Sequence, residues 1–146
     1  MESLCGLILL ANFWMNFISV SGSGGFVIAG GRQDDHIYAT EKFNPSTGQS
    51  CQAGEISQTR SEATFCSNFL CGGNPSFTSC EKFDGISTFE PLPVILGERR
   101  NNHMCWGLPS GEVLLLGGQY SANSTELVAV DGTSSSANFT LPYETM

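Results

Sequence analysis

Positively charged residues are scarce in this sequence. Six lysines and arginines stand against 14 aspartates and glutamates, which gives a formal net charge of −8. Nucleic acids and anionic membrane surfaces are bound through clustered basic side chains, so this balance argues against both as partners. The sequence has only two histidines and no Cys-x-x-Cys pair, and it shows no nucleophile elbow or phosphate-binding loop. We therefore expect no metal, no cofactor and no catalytic residue.

A sustained helical period is also missing, apart from an apolar stretch at the N-terminus. The chain is instead rich in glycine, and three Gly-Gly pairs each end a short apolar run. The second glycines of these pairs lie 42 and then 45 residues apart. A near-constant spacing of this length is typical of a repeat architecture. The pairs are Gly30 with Gly31, Gly72 with Gly73, and Gly117 with Gly118.

The three units share more than the glycines. A second short run follows each diglycine and carries a glutamate at a similar offset, namely Glu41, Glu81 and Glu126. Turn-forming residues and a third run come next, and arginines lead back to the next diglycine, Arg60 in one unit and the pair Arg99 and Arg100 in another. Short runs bounded by Gly, Pro, Asn and Ser predict antiparallel strands. Four strands in a unit of about 40–50 residues are typical of a propeller blade, so we predict an all-β fold.

This order of elements resembles the kelch-type β-propeller: an apolar strand, Gly-Gly, a Glu-x-Phe strand, a turn, an aromatic strand, Pro, Arg-x-x-His and the next apolar strand. The resemblance covers about residues 25–146, and the chain departs from it where Phe89 and Phe139 replace the family's tryptophan. It implies a partial propeller of about two and a half to three blades, each a four-stranded antiparallel sheet. The repeats are expected at about residues 25–64, 65–108 and 109–146.

Physical reasons support a structural role for the recurring residues. A diglycine at a strand end permits positive φ angles and lets a neighbouring backbone approach closely. The recurring glutamates are expected to accept hydrogen bonds or to pair with the arginine of a neighbouring unit. Catalytic carboxylates seldom recur once per repeat. We therefore predict that the diglycines and the recurring glutamates both stabilise the repeat.

The third unit stops short of the arginine expected at its end. Propellers typically close with four to eight blades, and repeats do not bury their hydrophobic faces alone. Two arrangements are therefore open: the sequence is part of a longer chain, or several copies complete a ring by self-association. The first is the favoured prediction.

The N-terminal stretch, residues 4–20, carries no charge and is followed by small residues. This pattern predicts a secretory signal peptide over about residues 1–22, cleaved between Ser21 and Gly24. An uncleaved membrane anchor is one alternative, although 17 residues are at the short limit for a membrane span. A buried strand or a start-site artefact is the other. We expect a secreted, extracellular protein that has no membrane span after cleavage.

Two tripeptides of the third unit fit the N-glycosylation acceptor pattern, and they begin at Asn123 and Asn138. Both agree with export of the chain. The polar run of residues 133–136 between them predicts a loop.

Five cysteines remain once Cys5 is removed with the signal peptide. A hairpin with Asn68 and Phe69 at its tip would place Cys66 opposite Cys71, which makes this pair the candidate disulfide. Two buried free thiols are the alternative.

Function is predicted from the loops. Propeller loops gather at two faces of a rigid scaffold and are available to a partner. The loops that follow the diglycines, residues 32–36, 74–77 and 119–122, occupy analogous positions and should lie on one face. The prediction is a protein-interaction scaffold whose partner the sequence does not identify.

An enzymatic alternative follows from the same resemblance. Kelch-type propellers resemble the central domain of galactose-oxidase-like copper radical enzymes, whose copper site uses two tyrosines and two histidines. This chain offers His36 and His103, and its tyrosines are scattered through different units. His103 fits the Arg-x-x-His element of the repeat, so catalysis is the less favoured hypothesis. A third possibility is a segment with no independent activity.

Overall fold

The computed structural model describes residues 17–19, 26–29 and 38–137 of the chain. These residues form fourteen strands and no helix, which confirms the all-β prediction. The strands make three four-stranded antiparallel sheets and one two-stranded ribbon. In the described ranges no helix is long and apolar enough to cross a membrane.

The three large sheets are meanders whose strands follow chain order. The first sheet contains β1 (Phe17–Ser19), β2 (Phe26–Ala29), β3 (Ala39–Asn44) and β4 (Gln49–Glu55). The second contains β6 (Thr64–Cys66), β7 (Phe69–Cys71), β9 (Ser79–Phe83) and β10 (Phe89–Ile95). The third contains β11 (Met104–Gly107), β12 (Val113–Leu116), β13 (Thr125–Val128) and β14 (Ser134–Ser136). The ribbon pairs β5 (Arg60–Ser61) with β8 (Asn74–Pro75).

Each described diglycine follows the second strand of a sheet, because β7 ends at Cys71 and β12 ends at Leu116. The glutamates lie on the third strand, and β13 carries Glu126 opposite Leu115. The prediction of a loop at residues 133–136 is wrong, since β14 pairs with β13 there. A strand at the edge of a sheet forms backbone hydrogen bonds that do not depend on apolar side chains, which explains a strand of three serines.

The first strand falls inside the segment that the sequence predicts to be a signal peptide. Its backbone pairs with β2, with Phe17 opposite Ile28 and Ser19 opposite Phe26. Cleavage between Ser21 and Gly24 would therefore leave the first sheet with three strands. The rest of the predicted signal peptide lies outside the described residues.

The sheets pack face to face, and each has two distinct faces. We call the face that carries the repeat glutamate the leading face; in the second sheet it holds Leu70, Glu81 and Phe83. The opposite face, which we call the trailing face, holds Phe69 and Cys71 in the same sheet. Alternation along a strand produces this division, because successive side chains point to opposite sides.

Two apolar cores join the three sheets, and both are formed by the same two kinds of face. Each core places the trailing face of one sheet against the leading face of the next. The first core contains Val27, Ala29, Ala53, Ile56, Ala63, Phe65, Leu70, Phe83 and Phe89. The second contains Phe69, Cys71, Cys80, Leu96, Val113, Leu115 and Val128. In the described chain, hydrophobic burial thus stacks the sheets in chain order.

Candidate interaction face

A buried arginine holds the second sheet to the segment that precedes it. Arg60 Nε donates to Glu81 Oε1 at 3.1 Å, and Nη1 donates to the Gly72 carbonyl at 2.8 Å. The other Glu81 oxygen accepts the Ser57 backbone N–H at 2.7 Å. Arg60 Nη2 donates to Ser79 Oγ at 2.8 Å. Burial lowers the pKa of the Arg60 guanidinium, and the adjacent Glu81 carboxylate opposes that shift.

The same arrangement recurs one unit later around Arg100. Its Nε donates to Glu126 Oε2 at 3.3 Å, and its Nη1 donates to the Gly117 carbonyl at 2.8 Å. Nη2 donates to Ser124 Oγ at 2.8 Å, and Glu126 Oε1 accepts the Gly97 backbone N–H at 2.7 Å. Every partner of the Arg100 guanidinium thus has a counterpart around Arg60. We call each of these two sets of contacts an arginine clamp.

The clamps confirm that the repeat glutamates pair with an arginine of a neighbouring unit, for Glu81 and Glu126. Glu41 differs, because its Oε2 accepts a hydrogen bond from Ser50 Oγ at 2.8 Å. Glu41 is half-buried, whereas the other two glutamates are buried. The first unit therefore lacks a clamp among the residues that the structure describes.

The second glycine of each described diglycine has no room for a side chain. A Cβ on Gly73 would lie 2.8 Å from the Ala63 Cβ, and one on Gly118 would lie 3.0 Å from the His103 Cβ. Gly73 and Gly118 also have φ angles of +87° and +113°. Close approach and positive φ, the two reasons expected from the sequence, both apply here. Gly72 and Gly117 likewise have positive φ, whereas Gly30 and Gly31 lie outside the described residues.

His103 is buried where Ala63 lies in the preceding repeat. Neither of its ring nitrogens has a hydrogen-bond partner. Burial, and after it the charge of Arg100, lowers the pKa of His103 to about 4. The imidazole is therefore neutral at pH 7 and packs as part of the repeat.

The predicted disulfide between Cys66 and Cys71 is wrong. Positive φ angles at Ser67 and Asn68 make these two residues the hairpin tip, so Cys66 lies opposite Phe69. The structure pairs Cys71 with Cys80 across β7 and β9, and Cys66 with Cys105 across the second core. No cysteine in the described ranges is free. Disulfides of this kind are typical of an oxidising compartment.

Two of the three predicted contact loops meet on one face. The rings of Phe77 and Tyr120 lie edge to face with centroids 5.3 Å apart. Between the loops, the Arg99 guanidinium carbon lies 4.2 Å from the Phe77 centroid and 4.7 Å from the Tyr120 centroid. These are cation–π distances. We call Phe77, Arg99 and Tyr120 the aromatic–arginine cluster; the third predicted loop, residues 32–36, lies outside the described residues.

Backbone contacts fix the cluster to the buried clamp. The Arg100 N–H donates to the Phe77 carbonyl at 3.0 Å, and Ser121 Oγ donates to the Arg99 carbonyl at 2.8 Å. Arg99 is exposed, whereas the adjacent Arg100 is buried in the clamp. The exposed side chains of Arg99 and Tyr120 are thus tied through the backbone to the buried clamp.

A recess of about 290 Å³ borders the cluster, and its lining includes Glu98, Tyr120 and Asn123. Tyr120 is 51% exposed, which leaves about half of its surface available to a partner. The glycosylation candidate Asn123 is exposed in a turn just before β13. The second candidate, Asn138, lies outside the described residues.

No metal-binding set is found in the part of the chain that the structure describes. Among the residues described, no group of three His, Cys, Asp or Glu side chains could hold a metal ion. His36 lies outside these residues, and His103 is buried in the repeat. Comparison of the chain with known protein families and with curated proteins found no match.

Proposed function

We propose that this chain forms part of a secreted, kelch-type β-propeller that acts as a protein-interaction scaffold. The aromatic–arginine cluster is the observation that carries the proposal. Arginine and tyrosine are among the residue types enriched at binding hot spots, where a few side chains supply most of the affinity. The cluster presents both on one face, at the loops that vary freely in a repeat scaffold.

Three features support the propeller and the scaffold role. Four-stranded meanders stack through the same pair of faces, and the Arg60 and Arg100 clamps repeat the same contacts. The clamps also reduce the freedom of the cluster before binding, which lowers the entropy lost when a partner docks. The two disulfides agree with an extracellular location.

The test is a binding screen of the purified, disulfide-intact chain against purified secreted and cell-surface proteins. We expect at least one saturable partner whose Kd rises roughly tenfold or more when Tyr120 is changed to alanine. The matched control is Ile86→Ala, which removes a side chain that is 75% exposed on the turn after β9, whereas Phe77 precedes that strand. That control is expected to leave the Kd unchanged.

The proposal fails if the screen finds no saturable partner. It also fails if Tyr120→Ala and Arg99→Ala bind every partner as tightly as the unmodified chain does. Thermal unfolding of each variant is the check on folding, because both side chains lie at the surface and their removal should leave the melting temperature nearly unchanged.

A further inference from the structure

The two contacts between neighbouring sheets have the same construction. A third contact of this kind would need one free trailing face and one free leading face. Each buries a trailing face against a leading face, with one linker side chain, Ile56 or Leu96, in the core. The described chain therefore contains one interface twice. The first sheet has a leading face outside these two contacts, and the third sheet has a trailing face outside them.

The trailing face of the third sheet is apolar and unusually exposed. In the strand register Trp106 lies opposite Leu114, and Leu114 lies opposite Leu127, so these side chains form a row across three strands. Trp106 is 67% exposed and Met104 is 64% exposed. The equivalent face of the second sheet, with Phe69 and Cys71, is almost completely buried under the third sheet. Exposed apolar patches of this kind mark association surfaces.

The leading face of the first sheet also carries apolar side chains that are not fully buried. Phe26 lies opposite Phe43 in the register, and Glu41 is on the same face two residues away. Phe26 is 40% exposed and Phe43 is half-buried. The counterpart of Phe43 in the second sheet, Phe83, is buried in the first core.

We propose that the trailing face of the third sheet binds the leading face of the first sheet of a second copy of this chain. The occupant is argued from the interface itself, since each internal contact joins these two kinds of face and every copy carries one of each. Glu41 keeps its Ser50 hydrogen bond in this contact, which therefore rests on the apolar rows. The association is head to tail, because the two surfaces that meet are different.

The first experiment measures the mass of the full-length, disulfide-intact chain by light scattering over a wide concentration range. We expect the mass to exceed that of one chain and to rise with concentration. Trp106→Ser on the trailing face and Phe26→Asp on the leading face should each produce a smaller assembly. Ile86→Ser, which removes an exposed isoleucine from neither face, is the matched control and should assemble normally.

Mixing the two defective variants tests the head-to-tail geometry. The Trp106→Ser variant retains an intact leading face, and the Phe26→Asp variant retains an intact trailing face. Together they can form one complete contact, so a one-to-one complex is expected from the mixture. A symmetric contact through Trp106 alone would not be restored in this way.

The proposal is overturned by a chain that stays monomeric at every concentration, as it would if another part of a longer protein covered the face. Assembly that neither substitution weakens overturns it too. The head-to-tail contact is overturned if both substitutions weaken the assembly and mixing the two variants does not restore it. Melting temperatures of the variants verify folding, since both side chains are exposed.

Discussion

Arg60 and Glu81 form an ion pair in which Nη2 and Oε1 are 3.1 Å apart and neither side chain is exposed to solvent. A buried charge is costly unless it is paired and its remaining hydrogen-bonding groups are satisfied. Both conditions hold here, because the guanidinium also donates to backbone carbonyls and the carboxylate accepts an N–H. Arg100 and Glu126 repeat the relationship at 3.3 Å. The pair is thus part of what joins one sheet to the next.

Removing the negative charge from this clamp is expected to destabilise the fold strongly. Glu81→Gln leaves the Arg60 charge buried without its counter-ion, which should cost about 3–5 kcal/mol of unfolding free energy. Glu90→Gln, an exposed position on β10 of the same sheet, is the control and should change little. Urea denaturation measures both. Equal midpoints for the two variants would contradict the assigned role of the clamp.

A comparison of Gly73 with Gly85 separates the energetic cost of a close contact from the cost of a positive φ angle. Both have φ angles of +87°, but a Cβ on Gly85 would meet nothing within 4 Å. Alanine at either position bears the same conformational cost, and only Gly73→Ala adds a clash with Ala63. Gly73→Ala should therefore lower the unfolding free energy by about 1–3 kcal/mol more than Gly85→Ala does. Similar losses would show that the backbone angle alone requires glycine at residue 73.

The buried imidazole of His103 predicts a pH dependence of stability. Its pKa is about 4 in the folded chain, against about 6.5 when unfolded, so the unfolded chain binds the proton first as the pH falls. Stability is therefore full above about pH 6.5 and declines towards pH 4, by about 3 kcal/mol in total. His103→Ala, which introduces the residue found at position 63, should remove this component. Denaturation midpoints between pH 7 and pH 5 provide the measurement.

Carboxylates also titrate as the pH falls, so their contribution to the pH dependence must be separated from that of His103. Backbone N–H donors hold the pKa values of Asp84 and Asp131 below the ordinary aspartate value. The stability that these two carboxylates contribute is therefore lost only at a pH below the range in which His103 acts. A pH dependence between pH 7 and pH 5 that persists unchanged in His103→Ala would contradict the assignment to His103.

The disulfide connectivity is directly testable by peptide mapping without reduction. We expect fragments that link Cys66 to Cys105 and Cys71 to Cys80. Replacing the first pair by alanines should cost about 4 kcal/mol, because it closes a loop with a sequence separation of 39 residues. The second pair, separated by 9 residues, should cost about 3 kcal/mol. A fragment linking Cys66 to Cys71 would contradict the described hairpin.

Local sequence patterns were sufficient to predict the strands and the repeat. The diglycines, the Glu-x-Phe strands and the turns that follow those strands are short-range signals, since backbone angle and side-chain alternation depend on neighbouring residues. The recurrence of the glutamates also predicted that they accept hydrogen bonds or pair with an arginine. Glu81 and Glu126 pair with arginines, and Glu41 accepts a hydrogen bond. The kelch-type propeller, the signal peptide and the glycosylation sites stay predictions.

The tertiary structure decided what depended on register and on distant neighbours. A hairpin tip one residue earlier than expected moved Cys66 away from Cys71, because a one-residue change of tip alters every cross-strand partner. Whether Arg99 or Arg100 is buried depends on which of them faces Glu126, a residue 26 positions further along the chain. The meeting of Phe77 with Tyr120 likewise arises only when the second and third sheets pack together. Sequence spacing specifies the repeating unit, and the packing of one unit on the next determines which residues reach the surface.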